Sequence, residues 1–152
     1  MENIPYDKRA GKLWFNGESL PWEDAKIHVL NHGLHYASCV FEGERVYDGK
    51  IFKLEAHTDR LFYSAKRMGM DVPYSQKEIN NACNEIVSIQ KVRNGYVRPV
   101  IWRGSEMMAI SAQKNKINVA VATWEWGSYF DPKLKLKGFK LNISSWRRPS
   151  PN

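Results

Sequence analysis

The stretch from residue 41 to residue 54 reads FEGERVYDGKIFKL, with two runs that can form strands on either side of Asp48-Gly49. An Asp-Gly pair supplies the positive backbone φ angles of a tight two-residue turn, so this stretch predicts a β-hairpin. The segment from Leu13 to Leu20 contains Asn16-Gly17 and predicts a second hairpin for the same reason. Two such turns indicate strands that pair antiparallel.

Two helices are predicted after the second hairpin. The first runs from Glu55 to about Met68, because Leu61, Ala65 and Met68 recur at helical spacing. The second begins at the capping box Ser75-Gln76-Lys77-Glu78 and carries its own apolar stripe. Both helices therefore have one face suited to packing on a sheet.

The remaining segments are mostly extended. Residues 24–29 are predicted to be extended, and residues 31–36 to form a loop or a single helical turn. Three further strands are predicted over residues 96–102, 117–124 and 139–145. Strands outnumber helices and adjoin through hairpins, so the fold class is α+β with a mostly antiparallel sheet and two helices.

A domain boundary is predicted near residue 127, where Gly and Pro interrupt the pattern. Residues 1–126 would form a small N-terminal α+β domain, and residues 127–136 an interdomain linker. Residues 137–152 would begin a second domain with its first strand, and no helix follows to cover that strand.

Composition narrows the classes of function. The 152 residues are 43% apolar and 26% charged, which is typical of a globular domain. The formal net charge of +7 invites a nucleic-acid interpretation, but the signs are mixed outside the last 20 residues and no nucleic-acid-binding motif is present. The chain has no apolar run near the roughly 20 residues of a membrane span. No signal peptide is visible, and two cysteines suggest a reducing compartment, so a cytoplasmic location is expected.

Three histidines have spacings that could gather ligands on a helix. His28, His32 and His35 lie four and three residues apart, as a zinc site would require. Gly33 and an irregular backbone weaken that geometry, so packing and hydrogen bonding are favoured and no metal is expected. Cys39 is interpreted as a buried thiol rather than a nucleophile.

Three polar residues stand out as candidates for binding. Arg60 lies in a helix beside core residues, where its guanidinium could be a solvated side chain or a fork that holds a phosphate. Tyr96 and Arg98 alternate along one strand and so project from the same side. Pro99 cannot donate to a ladder, which predicts a sheet edge or a neighbouring cavity.

Taken together, these stretches resemble the bacterial branched-chain amino acid aminotransferases, which are fold-type IV enzymes that use pyridoxal 5'-phosphate. The resemblance runs from Leu13 to Asn152 and rests on seven motifs in the family's order: Trp14-Phe15-Asn16-Gly17, Trp22-Glu23-Asp24-Ala25-Lys26, Leu34-His35-Tyr36, Phe41-Glu42-Gly43 with Arg45 and Tyr47, His57 with Arg60-Leu61, Tyr96-Val97-Arg98-Pro99, and Trp126-Gly127-Ser128-Tyr129. D-amino acid aminotransferases and aminodeoxychorismate lyases share this architecture. The combination of the motif at residues 41–45 with Tyr96-Val97-Arg98-Pro99 is more similar to the L-branched-chain group.

The resemblance implies a role for each matching residue. Arg60 would bind the cofactor phosphate, and Arg98 would receive the distal carboxylate of glutamate. Tyr96 would help to hold a substrate carboxylate, and Arg45 would support the polar edge of the pocket. The apolar pocket for a branched side chain would be lined by Tyr36, Phe41, Trp126 and Tyr129. Some of these residues serve the neighbouring subunit in this family, so a homodimer or a multiple of dimers is implied.

The resemblance also implies what this chain lacks. The family's Schiff-base lysine lies beyond the position of Asn152, so no catalytic residue is assigned here and the chain alone is expected to be inactive. The parent enzyme would transfer an amino group between L-Leu, L-Ile or L-Val and 2-oxoglutarate, so its partners are small amino and 2-oxo acids. The alternatives are a non-catalytic binding or regulatory domain with the same fold, or another fold-type IV enzyme such as a D-amino acid aminotransferase.

Overall fold

The computed structural model describes residues 4–127 and 132–150. Seven strands and four helices follow one another in the described residues: β1 Lys12–Phe15, β2 Glu18–Pro21, α1 His32–Tyr36, β3 Cys39–Phe41, β4 Glu44–Tyr47, β5 Lys50–Ile51, α2 Leu54–Arg67, α3 Gln76–Ile89, β6 Gly95–Arg103, β7 Ile117–Glu125 and α4 Pro132–Lys135. Two short 3-10 turns, Tyr6–Lys8 and Trp22–Asp24, precede α1.

The strands form one antiparallel sheet in the order β2-β1-β7-β6-β4-β5, with β3 also paired to β6. Its centre is the β6–β7 pair, which stays in register from Gly95 opposite Glu125 to Arg103 opposite Ile117. The sheet and the helices on it confirm the predicted α+β class.

Both hairpin turns adopt the backbone that their sequences predict. Asn16 and Gly17 have φ angles of 49° and 101°, and Asp48 and Gly49 have φ angles of 49° and 78°. Positive φ at both central positions matches the right-handed twist of the flanking strands, which is why these dipeptides are favoured there.

Strands β3 and β4 are two parts of one extended segment. Phe41 lies opposite Val100 and Glu44 lies opposite Val97, so the register against β6 is continuous across the break. The backbone N–H of Glu42 donates to the carbonyl of Pro99 at 3.0 Å. Proline has no N–H to return the bond, and this missing donor explains the break in the ladder.

The position of Pro99 excludes the first of its two predicted settings, a sheet edge or a neighbouring cavity. β6 pairs with β7 on one side and with β3 and β4 on the other, so it is a central strand and not a sheet edge. Pro99 is tolerated there because its nitrogen faces the short break between β3 and β4, where the ladder does not need an N–H from residue 99.

The core lies between one face of the sheet and helices α2 and α3, and we call this face of the sheet the helix face. Val97, Ile101, Val119 and Val121 of β6 and β7 are fully buried there, together with Leu61 of α2 and Ile79 and Ile86 of α3. Each such side chain contributes roughly 1.5–3 kcal/mol by leaving water. Leu61 and Ala65 of the predicted stripe therefore point into the core. Met68 does not, because α2 ends one residue before it and its side chain is 45% exposed.

The capping box that opens α3 is also present. The Glu78 N–H donates to Ser75 Oγ, and the Ser75 N–H donates to Glu78 Oε2 at 2.7 Å. Two of the otherwise unsatisfied donors at the start of the helix are thereby paired.

One ionisable side chain lies inside this core. Glu44 of β4 is fully buried on the helix face, and neither carboxyl oxygen has a hydrogen-bond partner among the described residues. Burial raises the pKa of Glu44 to about 8, and the negative charge of Glu42 adds to the shift. Burial, and then the charge of Glu44, likewise raise the pKa of Cys83 on α3 well above its usual value. Cys39, by contrast, is exposed and not buried as predicted, because it pairs with Trp102 and points away from the helices.

Two predicted extended segments differ in the structure. The residues after the turn Trp22–Asp24 enter no strand before α1, whereas the single helical turn at residues 32–36 is present. Residues 138–150 also contain no strand, and the side chains of Leu141, Ile143 and Trp146 are 94%, 94% and 90% exposed. A β-strand is stabilised by a neighbouring backbone, and no strand of this sheet provides one for this segment.

None of the helices in residues 4–127 and 132–150 is long and apolar enough to cross a membrane.

Candidate functional site

The second face of the sheet carries most of the residues that the sequence singled out. Side chains alternate between the two faces of a strand, so Tyr96 and Arg98 of β6 point away from α2 and α3. Phe41 of β3 and Arg45 of β4 point to the same side, since they pair with Val100 and Tyr96. We call this surface the outer face.

Arg98 is the central cation of the outer face. Its guanidinium carbon lies 4.0 Å from the centre of the Phe41 ring and 5.3 Å from that of Tyr96. Arg98 Nη2 donates to the Tyr96 hydroxyl at 3.2 Å, which confirms that the two side chains share a side of the strand. Arg98 Nε is buried and has no hydrogen-bond partner among the described residues. The cation is thus stabilised by aromatic rings, and one of its buried donors is unpaired among the described residues.

Aromatic rings extend the site from Tyr96 toward the end of β7. The ring centres of Tyr96, Trp124 and Trp126 lie 5.1–5.6 Å from one another. Arg45 Nη1 donates to the backbone carbonyl of Trp126 at 3.2 Å and so holds this segment against β4. The five predicted residues Phe41, Arg45, Tyr96, Arg98 and Trp126 therefore form one cluster.

Gly43 is required for this packing. A Cβ atom built on Gly43 would lie 1.9 Å from the Tyr96 hydroxyl oxygen and 2.7 Å from Cζ of the same ring. The Tyr96 side chain thus occupies the space that any other residue at position 43 would fill.

Arg60 lies on the other side of the β3–β4 segment, in α2. Its Nε donates to Glu42 Oε1 and its Nη2 donates to Glu42 Oε2, both at 2.6 Å. His57 Nδ1 lies 2.8 Å from Glu42 Oε2. Burial alone would raise the pKa of Glu42, but the hydrogen bonds from Arg60 and His57 outweigh it and hold that pKa below its usual value. Glu42 is therefore an ionised carboxylate that accepts hydrogen bonds from Arg60 and His57.

Neither Glu42 nor His57 has a role that the sequence pattern alone predicts. The available signal was His57 three residues before Arg60, a spacing that places both on one face of a helix. Their common partner comes from a separate strand, so spacing alone could not identify it.

Tyr36 lies away from the Arg98 cluster, against the loop between β6 and β7. Its hydroxyl donates to the Met108 carbonyl at 3.1 Å, and its ring stacks on His32 at 4.4 Å between centres. Tyr129 lies outside the described residues. The structure therefore brings Tyr36 together with the loop before β7, and not with the Arg98 cluster.

The three histidines make local hydrogen bonds. His32 is buried, and its ring nitrogens lie 2.6 Å from Ser38 Oγ and 3.2 Å from the Ala109 carbonyl. His35 bonds the Val29 carbonyl, and His28 accepts from the Leu30 N–H. Within residues 4–127 and 132–150, no group of three potential ligands is placed to hold a metal ion.

An apolar cavity of about 390 Å³ lies beside the cluster on the outer face. Its lining includes Phe15, Ile27, Leu34, Val100 and Trp102. Val100 pairs with Phe41, so the cavity adjoins the Arg98 cluster through β6 without including it.

Comparison with known proteins identifies the family. Residues 39–152 match the family Amino-transferase class IV. The chain belongs to the class IV aminotransferases. The matched residues include the whole Arg98 cluster, from Phe41 to Trp126, and also Arg60 with its partners Glu42 and His57.

Two curated relatives of this chain carry the same name. A branched-chain-amino-acid aminotransferase from Pseudomonas aeruginosa is 44% identical over 148 residues, which are 95% of this chain and 48% of that protein. The Escherichia coli K12 protein of the same name is 37% identical over 150 residues, again 95% of this chain and 48% of the other. The chain thus spans about half the length of the curated relatives it matches.

Solved structures give the same result. A branched-chain amino acid aminotransferase from Escherichia coli superposes with a TM-score of 0.84 at 36% identity, over 95% of this chain and 47% of the other. A branched-chain aminotransferase from the thermophilic archaeon Thermoproteus uzoniensis, solved with norvaline, superposes with a TM-score of 0.84 at 33% identity, over 93% and 48%. A third enzyme of this kind, solved with pyridoxamine 5'-phosphate, superposes with a TM-score of 0.77 at 38% identity, over 82% and 43%. The resemblance to the fold-type IV N-terminal portion is confirmed.

Proposed function

We propose that this chain forms the N-terminal small domain of a branched-chain amino acid aminotransferase. The enzyme would transfer the amino group between L-Leu, L-Ile or L-Val and 2-oxoglutarate, using pyridoxal 5'-phosphate. Residues 127–136 would be the linker, and residues 137–152 the start of the large cofactor domain. The names of the similar proteins support the reaction class, and the arrangement around Arg98 supports the pair of substrates.

The Arg98 cluster suits a pocket that must accept two unlike side chains in turn. Phe41, Tyr96 and Trp126 offer an aromatic surface to a branched aliphatic group, which has no polar atoms to satisfy. Arg98 has an unpartnered buried Nε that would donate to the distal carboxylate of glutamate. A cation beside apolar rings is costly to bury, and a carboxylate ligand explains its presence. This arrangement is the single observation that carries the proposal.

Arg60 fits the phosphate end of the cofactor. The side chain is 65% exposed, and Glu42 occupies only its Nε and one Nη2 hydrogen. The remaining guanidinium hydrogens can bind a phosphate dianion, which matches a forked donor. Pyridoxal 5'-phosphate, when bound, supplies the electron sink for amino transfer. The lysine that would hold it covalently is expected beyond Asn152.

A homodimer explains the separation of Tyr36 from the Arg98 cluster. Tyr36 is exposed and lies with Met108 on a surface apart from Arg98. In a homodimer or a multiple of dimers, Tyr36 would line the pocket of the adjacent subunit. We place the enzyme in the cytoplasm, as the sequence predicts.

A chimeric enzyme tests the proposed function. The 152-residue chain replaces the corresponding half of the Pseudomonas aeruginosa relative, and glutamate formation is measured with L-leucine and 2-oxoglutarate. We expect activity with the L-amino acids and none with D-alanine, while the 152-residue chain alone with the cofactor forms no glutamate. A folded chimera that binds the cofactor but acts only on D-amino acids, or on no amino acid, contradicts the proposal.

A further inference from the structure

The contacts of Glu42 extend the candidate site beyond the residues expected to touch a ligand. Glu42 is buried on the helix face of the sheet, and both of its carboxylate oxygens accept from α2. A buried carboxylate is costly unless it is paired, and here the pairing is bidentate and charge-assisted. The geometry therefore fixes the guanidinium of Arg60 in one orientation.

The orientation leaves a defined edge of Arg60 open. Nε and one hydrogen of Nη2 point at Glu42, so the edge formed by Nη1 and the other Nη2 hydrogen points away from the strand. None of the described residues bonds Nη1. An arginine carries five N–H groups in a rigid fork, so fixing one edge fixes the other.

His57 completes the arrangement. A carboxylate can only accept, so the bond at 2.8 Å requires the hydrogen of His57 to be on Nδ1. Glu42 is thereby held from two positions on α2, one turn apart, and cannot rotate away from Arg60 without losing both bonds. The side chains that bear on Glu42 are His57 and Arg60 from α2 and Glu44 from β4.

We propose that Glu42 and His57 are positioning residues that hold Arg60 by one edge and present its other edge to a phosphate group. The phosphate adds to the open edge while the bonds to Glu42 remain. This proposal deepens the proposed function and rests on it for the identity of the ligand, the 5'-phosphate of the cofactor. The geometry of Glu42, His57 and Arg60 does not depend on the proposed function, and inorganic phosphate can test it.

The opposite arrangement makes a different prediction. If Glu42 were a competitor for Arg60, phosphate would have to displace it, and removal of the negative charge would strengthen phosphate binding. A positioning role requires weaker binding after the same change, because the ligand must then order a free arginine. Ordering one long side chain corresponds to about three- to tenfold in affinity.

Nuclear magnetic resonance of the 152-residue chain tests the proposal directly. Inorganic phosphate is titrated against chloride at constant ionic strength, since exposed charges are screened by salt. The side-chain Nε–H signal of Arg60, assigned by its loss in Arg60→Lys, reports the bond to Glu42. We expect this signal to keep its hydrogen-bonded shift at saturating phosphate while the Nη signals move. A change of the Nε–H signal to that of a free arginine would overturn the proposal in the unaltered chain.

Three variants provide the second measurement. Glu42→Gln should bind phosphate three- to tenfold more weakly, and His57→Asn, whose amide can still donate, should bind nearly as well as the original chain. Glu55→Gln removes one negative charge from an exposed position of α2, the helix that carries Arg60, and should not weaken binding. Equal or tighter binding by Glu42→Gln would overturn the positioning role, and so would equal weakening by Glu42→Gln and Glu55→Gln.

The two proposals fail separately. An inactive chimera with normal phosphate signals at Arg60 would remove the proposed reaction and leave the positioning role. If the chimera is active but the Arg60 Nε–H signal shows that its bond to Glu42 is lost on phosphate addition, the proposed reaction stands and the positioning role is wrong.

Discussion

The two faces of the sheet are built from the same strands and differ in what they expose. On β6, Val97 and Ile101 face the helices and are completely buried, whereas Tyr96 and Arg98 face outward and stay partly exposed. The pleat of the strand separates the two sets, because successive side chains point to opposite sides. The helix face therefore holds the core, and the outer face carries the residues proposed to bind substrate, so substitutions on each face should have distinct effects.

The largest expected effect is a core deletion on the helix face. Leu61→Ala removes a side chain with 0% exposure and should lower the free energy of unfolding by about 3–5 kcal/mol. Phe41→Ala on the outer face, where the ring is 56% exposed, should cost less than about 1 kcal/mol. Urea unfolding followed by circular dichroism measures both. Comparable losses for the two variants would show that the outer face is also part of the stabilising core.

The second effect is a pH dependence that originates on the helix face. The carboxyl of Glu44 has its ordinary pKa of 4.5 in the unfolded chain and a pKa of about 8 when folded. Between these values the folded chain keeps a proton that the unfolded chain has released. The contribution of Glu44 to the free energy of unfolding should therefore be greatest below pH 4.5. It should fall by a few kcal/mol between pH 4.5 and about pH 8, and stay constant above that pH.

Substitution of this carboxyl isolates its contribution. Glu44→Gln carries no titrating group and should flatten the decrease between pH 5 and pH 8 in urea unfolding series. Glu55→Gln, at an exposed position of α2, should leave the slope unchanged. An unaltered slope in Glu44→Gln would assign the pH dependence to another group.

The third effect belongs to the outer face and to substrate choice. Arg98→Ala in the chimera should reduce kcat/KM for 2-oxoglutarate by about one to two decades, equivalent to roughly 1.5–3 kcal/mol for a lost charge-assisted bond. The value for leucine should change much less, because leucine brings no distal charge. Equal losses for both substrates, or a loss of stability similar to that of Leu61→Ala, would make Arg98 a structural residue.

The smallest effect is a steric one at the break between β3 and β4. Gly43→Ala places a methyl group against the Tyr96 hydroxyl and should cost about 1–2 kcal/mol of stability while moving Tyr96 from Arg98. Near-ultraviolet circular dichroism of the aromatic cluster reports the movement. Gly127→Ala is the matched control, since nothing lies within 4 Å of the position of its Cβ. An unchanged aromatic spectrum in Gly43→Ala would show that the Tyr96 side chain accommodates the methyl group without moving.

Local rules in the sequence predicted the parts of the fold that local interactions determine. Asn16-Gly17, Asp48-Gly49 and the capping box at Ser75 act within a few residues, and all are present in the structure. Alternation in β6 also placed Tyr96 and Arg98 on one side.

Features that depend on distant partners were missed or differ from prediction. The central position of Pro99 depends on the break opposite it, and the pairing of Glu42 with Arg60 joins a strand to a helix 18 residues away. The burial of Glu44 depends on the helices that pack on this face of the sheet, and residues 24–29, predicted to be extended, have no strand to pair with. Each of these outcomes is decided by tertiary packing, and the spacing of residues along the chain carries no information about such packing.

The position of β7 between β1 and β6 also determines when the chain can fold during synthesis. Trp14 of β1 pairs with Val121 of β7, more than a hundred residues later in the chain. At a translation rate of about 5–20 residues per second, the first hairpin waits roughly 5–20 seconds for its neighbour. During that time β1 is an unpaired edge with an uncovered tryptophan, open to chaperones or to other nascent chains. A ribosome stalled before residue 117 would hold a chain that contains α2 and α3 but still lacks β7, the strand that connects the β1–β2 hairpin to β6.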